Sequence, residues 1–86
     1  MQHASAGTFE SNDCLITVSH SDSNVIEIDS IVYETFGDQI HQVILSVLQS
    51  YHLDHVHVMI KDKGALDYCI KARLITALER LGVIHA

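Results

Sequence analysis

Basic residues are scarce in this 86-residue chain, which has five lysines and arginines against eleven aspartates and glutamates and a formal net charge of −6. Proteins that bind nucleic acid gain affinity by displacing counterions from phosphates, which requires the opposite sign of charge. The composition therefore argues against nucleic acid and anionic membrane surfaces as partners. An acidic surface is better suited to transient docking on basic patches of another protein.

Long apolar segments are also missing, because uninterrupted apolar runs extend over only a few positions. A membrane-spanning helix needs ~20 such residues, so none is expected. The segment 1–9 is small and polar, with no basic start, and does not resemble a signal peptide. An apolar fraction of 48% and a charged fraction of 19% are typical of one globular domain. A chain this short favours a carrier, adaptor or subunit over a complete enzyme.

Only two cysteines are present, Cys14 and Cys69, so at most one disulfide could form. Without a secretory signal, two reduced thiols in a cytoplasmic protein are expected. Both cysteines alternate into apolar faces, where a free cysteine behaves as a small hydrophobe. A catalytic thiol would need a cationic neighbour in space, and the proximity of Lys71 and Arg73 to Cys69 in sequence does not establish one.

Periodicity predicts the element order β-β-α-β-α. Residues 14–20 and 25–33 alternate as strands, and the polar turn between them predicts an antiparallel hairpin. Residues 34–51 and 65–81 carry apolar side chains at helical spacing, and residues 55–61 alternate as a third strand. The helix between the second and third strands predicts that these two strands are parallel.

The predicted fold is α/β, more specifically an α+β two-layer domain with a three-stranded mixed sheet and both amphipathic helices on one face. Asp62 is expected to cap the second helix and Gly82 to end it. Residues 1–12 have no period and are predicted to be a flexible N-terminal arm, leaving residues 13–86 as the single domain. The helices are expected to pack through Ile40, Val43, Ile44, Val47, Ile70, Leu74 and Leu78.

The histidines offer one possible site, because the chain contains seven. His52, His55 and His57 lie close together, and two histidines at i and i+2 on a strand can share a metal ion. A structural zinc site would need four ligands, and no cysteine pair at ligand spacing completes it. If the outer face of the sheet is solvated, these residues are only its polar side chains. A small histidine-rich metal-binding or adaptor domain therefore remains the alternative function.

Sequence signatures of catalysis are absent: no G-x-S-x-G turn surrounds a serine, and no glycine-rich phosphate loop occurs. Ser11 lies where the predicted arm meets the first strand, between Glu10 and Asp13. It has no adjacent base, which makes it a poor autonomous nucleophile. An exposed hydroxyl there is better placed to be modified by another enzyme, although a serine in a loop is commonly only a loop former.

Three blocks of sequence resemble the citrate lyase acyl carrier protein family, the gamma subunit of that lyase. They are residues 6–13 (AGTFESND), residues 36–40 (FGDQI), and residues 62–67 (DKGALD) followed by 70–73 (IKAR). The blocks occur in the family's order and extend over nearly the whole chain. The strands and the missing D-S-L segment distinguish the chain from four-helix carriers that bear phosphopantetheine.

The resemblance implies a non-catalytic carrier subunit, a phosphoprotein of the cytoplasm that acts in citrate fermentation. In this family the serine of A-G-x-x-E-S-x-D carries a triphosphoribosyl-dephospho-coenzyme A prosthetic group through a phosphodiester, and the matching residue is Ser11. The thiol of this group holds acetyl or citryl as a thioester. The implied partners are the alpha subunit (acyltransferase), the beta subunit (acyl lyase) and a prosthetic-group transferase. Citramalate lyase uses a similar carrier, so citrate and citramalate both remain open as acyl source.

Overall fold

Six elements form two layers in the computed structural model, which describes residues 2–85. In chain order they are β1 (His3–Gly7), β2 (Cys14–His20), β3 (Val25–Ser30), α1 (Tyr33–Ser50), β4 (Val56–Asp62) and α2 (Asp67–Leu81). The strands make one mixed sheet in the order β1-β2-β4-β3. The α+β two-layer class is confirmed, with four strands where the sequence predicted three.

The position of β4 at the centre of the sheet overturns the predicted hairpin of β2 and β3. β4 pairs antiparallel with β2 and parallel with β3, so it lies between them. The parallel pairing predicted from the intervening helix is confirmed. Burial explains the arrangement, because Val56, Val58 and Ile60 are almost completely buried whereas no residue of β3 is. The more apolar strand has a neighbour on each side, and β3 occupies an edge.

Strand β1 lies inside the segment predicted as an irregular arm. Residues 3–7 pair antiparallel with β2, and α2 packs against both strands. Ala4 and Ala6 are 7% and 4% exposed, and on the alternate position Ser5 shares a hydrogen bond of 3.0 Å with Thr17. Alanines produce almost no hydrophobic period, yet their small size suits a strand beneath a helix. Residues 3–7 therefore belong to the sheet, and Met1 lies outside the described residues.

Both helices cover the same face of the sheet, as predicted. α2 packs against β1 and β2, whereas α1 packs against β3 and α2. Six of the predicted packing residues are buried and Val43 is partly buried; the six are Ile40, Ile44, Val47, Ile70, Leu74 and Leu78. α2 ends as predicted at Gly82, whose φ of 90° is left-handed and whose N–H contacts the carbonyls of Leu78 and Glu79. None of the helices within residues 2–85 is both long enough and apolar enough to cross a membrane.

Asp62 has a different role from the predicted cap of α2. The helix begins at Asp67, and the Asp62 carboxylate instead accepts hydrogen bonds from the N–H groups of Gly64 and Ala65, at 3.2 and 2.9 Å. It also accepts one from the Ser30 hydroxyl at 2.7 Å. A carboxylate that is only 3% exposed is thus satisfied by the turn after β4 and by the end of β3.

One end of the sheet gathers the loop between β1 and β2 and the first turns of both helices. The strand register places Cys14 opposite Asp62 and Asp62 beside Ser30. The starts of α1 and α2 follow directly, and the Gln39 amide donates to the Asp67 carboxylate at 2.9 and 3.0 Å. We call this region, formed by residues 8–13, 31–40 and 62–68, the Ser11 end.

Candidate functional site in the loop between β1 and β2

Ser11 is exposed in a short loop, residues 8–13, that joins β1 to β2. The Asp13 N–H donates to the Glu10 carbonyl at 3.2 Å, which closes a turn with Ser11 and Asn12 at its centre. Asn12 has a φ of 65°, a conformation that asparagine tolerates better than most residues. The turn presents the Ser11 side chain to solvent.

Gly7 closes the base of this loop where no other residue fits. Its φ is +107°, and a Cβ atom there would lie 1.9 Å from the Cys14 carbonyl oxygen. The neighbouring Thr8 N–H donates to that same oxygen at 3.1 Å. The glycine of the sequence block 6–13 is therefore required for the close approach of β1 to β2.

Asp13 connects the loop to α2 through Arg73. The guanidinium donates from Nη2 to Oδ2 at 2.8 Å and from Nε to Oδ1 at 3.2 Å. The Thr8 hydroxyl donates to Oδ2 and the Cys14 N–H to Oδ1, both at 2.7 Å. The hydrogen bond from Arg73, and to a smaller extent the one from Thr8, holds the pKa of the Asp13 carboxyl well below its usual range. The carboxylate is thus charged at neutral pH and fixes both ends of the loop.

The loop also docks on the segment between β4 and α2. The Asn12 N–H donates to the Lys63 carbonyl at 2.8 Å, and the Lys63 N–H returns a bond to the Asp13 carbonyl at 2.9 Å. On the other side, the Lys61 ammonium lies 5.5 Å from the centre of the Phe9 ring, within cation–π distance. Ser11 is therefore an exposed side chain on a loop that is held at its base and on both flanks.

The three sequence blocks that carried the resemblance meet at this place. Residues 6–13 contact residues 62–67 through Asn12 and Lys63, and they contact α2 through Asp13 and Arg73. Residues 36–40 contact residues 62–67 through Gln39 and Asp67. The sequence contained every one of these residues, but their pairing across the fold was not recognisable from spacing.

Three side chains that could bind a metal ion also converge here, because the potential ligand atoms of Asp13, Cys14 and Cys69 lie within 4.8 Å of one another. Burial, with the nearby Cys69 and Asp13, raises the pKa of the Cys14 thiol to about 12. Burial and the hydrogen bond to Asp13 raise the pKa of Cys69 as well. Metal binding requires thiolates, and Arg73 already engages the Asp13 carboxylate. The arrangement is suited to two protonated structural thiols.

The histidines named by the alternative hypothesis do not form a ligand set. His57 lies on the open face of the sheet, where its Nε2 is 2.6 Å from a Glu27 carboxylate oxygen. His55 contacts the neighbouring Asp54, and His52 lies in the turn after α1. In the described part of the chain, the group around Asp13 is the only one in which three candidate ligands converge, and it contains no histidine.

Comparison with known proteins gives consistent matches over almost the full length. A family model described as "ACP: Malonate decarboxylase delta subunit (MdcD)" matches residues 1–81. The citrate lyase acyl carrier protein of Halothermothrix orenii is 46% identical over 78 residues, covering 90% of this chain and 83% of the relative. That of Lactobacillus acidophilus is 47% identical over 78 residues, covering 90% and 80%.

A solved structure resembles the chain in fold. A chain of a Pseudomonas malonate decarboxylase hetero-tetramer, determined in complex with malonate, has a TM-score of 0.77 and 16% sequence identity. The match covers 94% of this chain and 84% of that chain. At this identity the likeness establishes the shared fold alone, and the sequence relatives establish the family.

Proposed function

Because the chain belongs to the citrate lyase acyl carrier protein family, we propose that it is the carrier subunit of a citrate lyase and that Ser11 bears the prosthetic group. The supporting observation is the exposed Ser11 hydroxyl on a loop whose base is fixed by Asp13 and Arg73. A bulky group can be attached there without displacing any buried side chain. The proposed group is the triphosphoribosyl derivative of dephospho-coenzyme A, linked by a phosphodiester.

Attachment requires a transferase, because Ser11 has poor means of activating itself. The acidic neighbour Asp13 is committed to Arg73, and its depressed pKa makes it a weak base. The transferase must therefore supply the base that accepts the serine proton as the bond from Oγ to the innermost phosphorus of the triphosphate forms and the bond to the departing diphosphate breaks. The chain contributes an accessible hydroxyl at a fixed position.

The acyl group is carried by the attached arm and not by the chain's own cysteines. When bound, the group supplies a terminal thiol that holds acetyl or citryl as a thioester. Cys14 is completely buried and the pKa of its thiol is raised, and the half-buried Cys69 thiol donates a hydrogen bond to Asp13. Neither offers an accessible thiolate to hold an acyl group, which supports the proposal that the attached arm carries it.

The proposed partners are the alpha subunit, which exchanges acetyl for citryl, and the beta subunit, which cleaves citryl to oxaloacetate and restores acetyl. A tether replaces diffusion by an effective concentration in the mM range for short flexible links. The net charge of −6 suits transient docking on basic surfaces of these subunits. The complex is proposed to act in the cytoplasm.

Malonyl transfer is the second candidate, because the matching family model and the resembling fold both carry the name of malonate decarboxylase. The identity of 46–47% with citrate lyase carriers favours the first. The two functions differ in the acyl group found on the loaded carrier.

Reconstitution with the alpha and beta subunits tests the proposal. Loaded carrier should release acetate and oxaloacetate from citrate, with mass spectrometry detecting acetyl and citryl on the arm. Ser11→Ala should reduce this activity to background. Ser23→Ala, which removes an exposed hydroxyl at the opposite end of the sheet, should leave it unchanged. A loaded carrier that supports no citrate cleavage here, but supports malonate turnover with the subunits of a malonate decarboxylase, would contradict the proposal in favour of the second candidate.

A further inference from the structure

An apolar groove lies between the first turns of α1 and α2, beside the Ser11 loop. Its volume is about 480 Å³. Val32, Phe36 and Ile40 line one side, and Ala65, Leu66 and Tyr68 line the other. Gln39 and Asp67, which are hydrogen-bonded to each other, stand at its polar margin. Sites for small organic ligands have this size and composition, mainly apolar with a few convergent polar groups.

The exposed large apolar side chains of the described residues are concentrated at the Ser11 end, and three of them, Phe36, Leu66 and Tyr68, line the groove. Six of them lie at or beside the Ser11 end: Phe9, Ile31, Tyr33, Phe36, Leu66 and Tyr68. The other two, Val25 and Tyr51, are at the opposite end of the sheet. Leu66 and Tyr68 are 61% and 74% exposed, which is a large apolar surface to leave in water. Exposed apolar surface that is contiguous in this way is typical of a binding site.

The groove and the Ser11 loop share a boundary. Gly64 lines the groove, and the atom nearest to its Cβ direction is the Asn12 side-chain oxygen, at 3.6 Å. Asn12 directly follows Ser11, and its backbone N–H donates a hydrogen bond to the Lys63 carbonyl. A group attached to Ser11 therefore has this groove as an adjacent apolar surface.

We infer that the groove binds the adenine ring of the group carried on Ser11, an inference that rests on the proposed function. The adenosine lies nearer to the attachment point than the pantetheine and its thiol do, and its flat faces can stack on aromatic side chains such as Phe36 and Tyr68. Its polar edge has donors and acceptors that an amide such as Gln39 can match. Asp62 and Asp67 at the groove disfavour the anionic phosphates, so the uncharged purine is the part that fits.

Seating the adenine would divide the arm into a fixed and a mobile part. Fixing the attachment-proximal part reduces the conformational freedom lost when a partner subunit binds the carrier. The distal pantetheine and its thiol stay free to reach two active sites. The groove thus sets the direction in which the loaded arm leaves the carrier.

NMR of loaded and unloaded protein tests this inference, with intact mass confirming loading in each sample. In the loaded wild type, the adenine H2 and H8 resonances should shift from those of the free group. They should also show nuclear Overhauser contacts to the methyl groups of Ile40 and Ala65. Leu66→Asp should abolish these shifts and contacts without preventing loading. Val25→Asp, a matched change of an exposed aliphatic residue at the other end, should preserve them.

The outcomes separate the inference from the proposed function. A loaded wild type whose adenine resonances match those of the free group overturns the inference and leaves the carrier function intact. Groove resonances that shift only after the alpha or beta subunit is added overturn it too, and assign the groove to subunit docking. A wild type that the transferase cannot load contradicts the proposed function and, with it, the inference.

Discussion

Arg73 on α2 donates two hydrogen bonds, of 2.8 and 3.2 Å, to the carboxylate of Asp13 at the end of the Ser11 loop. The two residues are 60 positions apart in the chain. The Asp13 side chain is 15% exposed and that of Arg73 is 39% exposed, so the pair is only partly screened by water. It holds the loop to the helix layer, whereas the hydrogen bond from the Thr8 N–H to the Cys14 carbonyl holds it to the sheet. The position of Ser11 depends on both sets of contacts.

Replacing Arg73 by Gln should lower the free energy of unfolding at neutral pH, because it removes the charged donor that pairs with the Asp13 carboxylate. The pH dependence should change as well. Asp13 has a folded pKa below the unfolded value of about 3.9, so its stabilisation is complete above that pH and is lost as the pH falls. Urea denaturation at pH 7, 5 and 3 should show that the variant loses less of its unfolding free energy between neutral and acid pH than the wild type does.

Lys71→Gln is the control for this experiment, since it removes the same charge from an exposed position on α2. Its urea midpoint should follow the wild type at each pH. An Arg73→Gln protein with the wild-type acid profile would contradict the assignment of the acid sensitivity to Asp13.

Gly7→Ala should be among the most damaging single substitutions in the loop. The added Cβ would lie 1.9 Å from a backbone oxygen, at a φ that is itself unfavourable for alanine. Together these effects should cost about 2–4 kcal/mol. Gly82→Ala has a similar φ of +90° with no atom within 4 Å of the added Cβ, so about 1 kcal/mol is expected. Equal thermal midpoints for the two variants would show that the close contact with the Cys14 carbonyl does not add to the cost of the Gly7 substitution.

Leu74→Ala should cost about 2–5 kcal/mol, because this side chain is 0% exposed and its removal leaves a cavity. Leu66→Ala, at a position 61% exposed, should change the unfolding free energy by no more than about 0.5 kcal/mol. Chemical denaturation measures both. A denaturation midpoint for Leu74→Ala equal to that of the wild type would mean that α2 does not face the core.

The cysteines should be slow to react in the native state. The Cys14 pKa is raised from 9.0 to about 12, so the folded protein retains a proton that the unfolded chain releases. Stability from this group is therefore present below pH 9 and declines as the pH rises towards 12. At pH 8 a thiol reagent should modify Cys14 far more slowly in native protein than in urea. Equal rates would show that the native thiol is as accessible and as readily ionised as the thiol of the unfolded chain.

The sequence predicted the helices, the parallel pairing of β3 and β4 and the stop at Gly82, because strong periodicity and turn chemistry are local signals. It missed β1, because Ala4 and Ala6 are too small to mark a hydrophobic period. It also misplaced β4, because the choice between neighbouring strands depends on which strand can be buried from both sides. That property belongs to the assembled sheet.

The site was predicted unevenly for the same reason. Ser11 was identified through the resemblance and not through any chemical distinction of the residue. Asp13, Lys63 and Arg73 were present in the matching blocks, but their contacts cross long stretches of chain and no spacing rule reveals them. The histidine cluster shows the converse error, since His55 and His57 are neighbours in sequence that make separate contacts with Asp54 and Glu27.

Tandem mass spectrometry of protein taken from its native cells, or co-expressed with the prosthetic-group transferase, tests the carrier assignment most directly. Intact wild-type protein and Ser23→Ala should both show one added mass equal to triphosphoribosyl-dephospho-coenzyme A less the diphosphate released on attachment, with the fragment ions placing it on Ser11. Ser11→Ala should show none, while its circular dichroism stays that of the wild type. An adduct that persists in Ser11→Ala, or that maps to another residue of the wild type, would contradict the account.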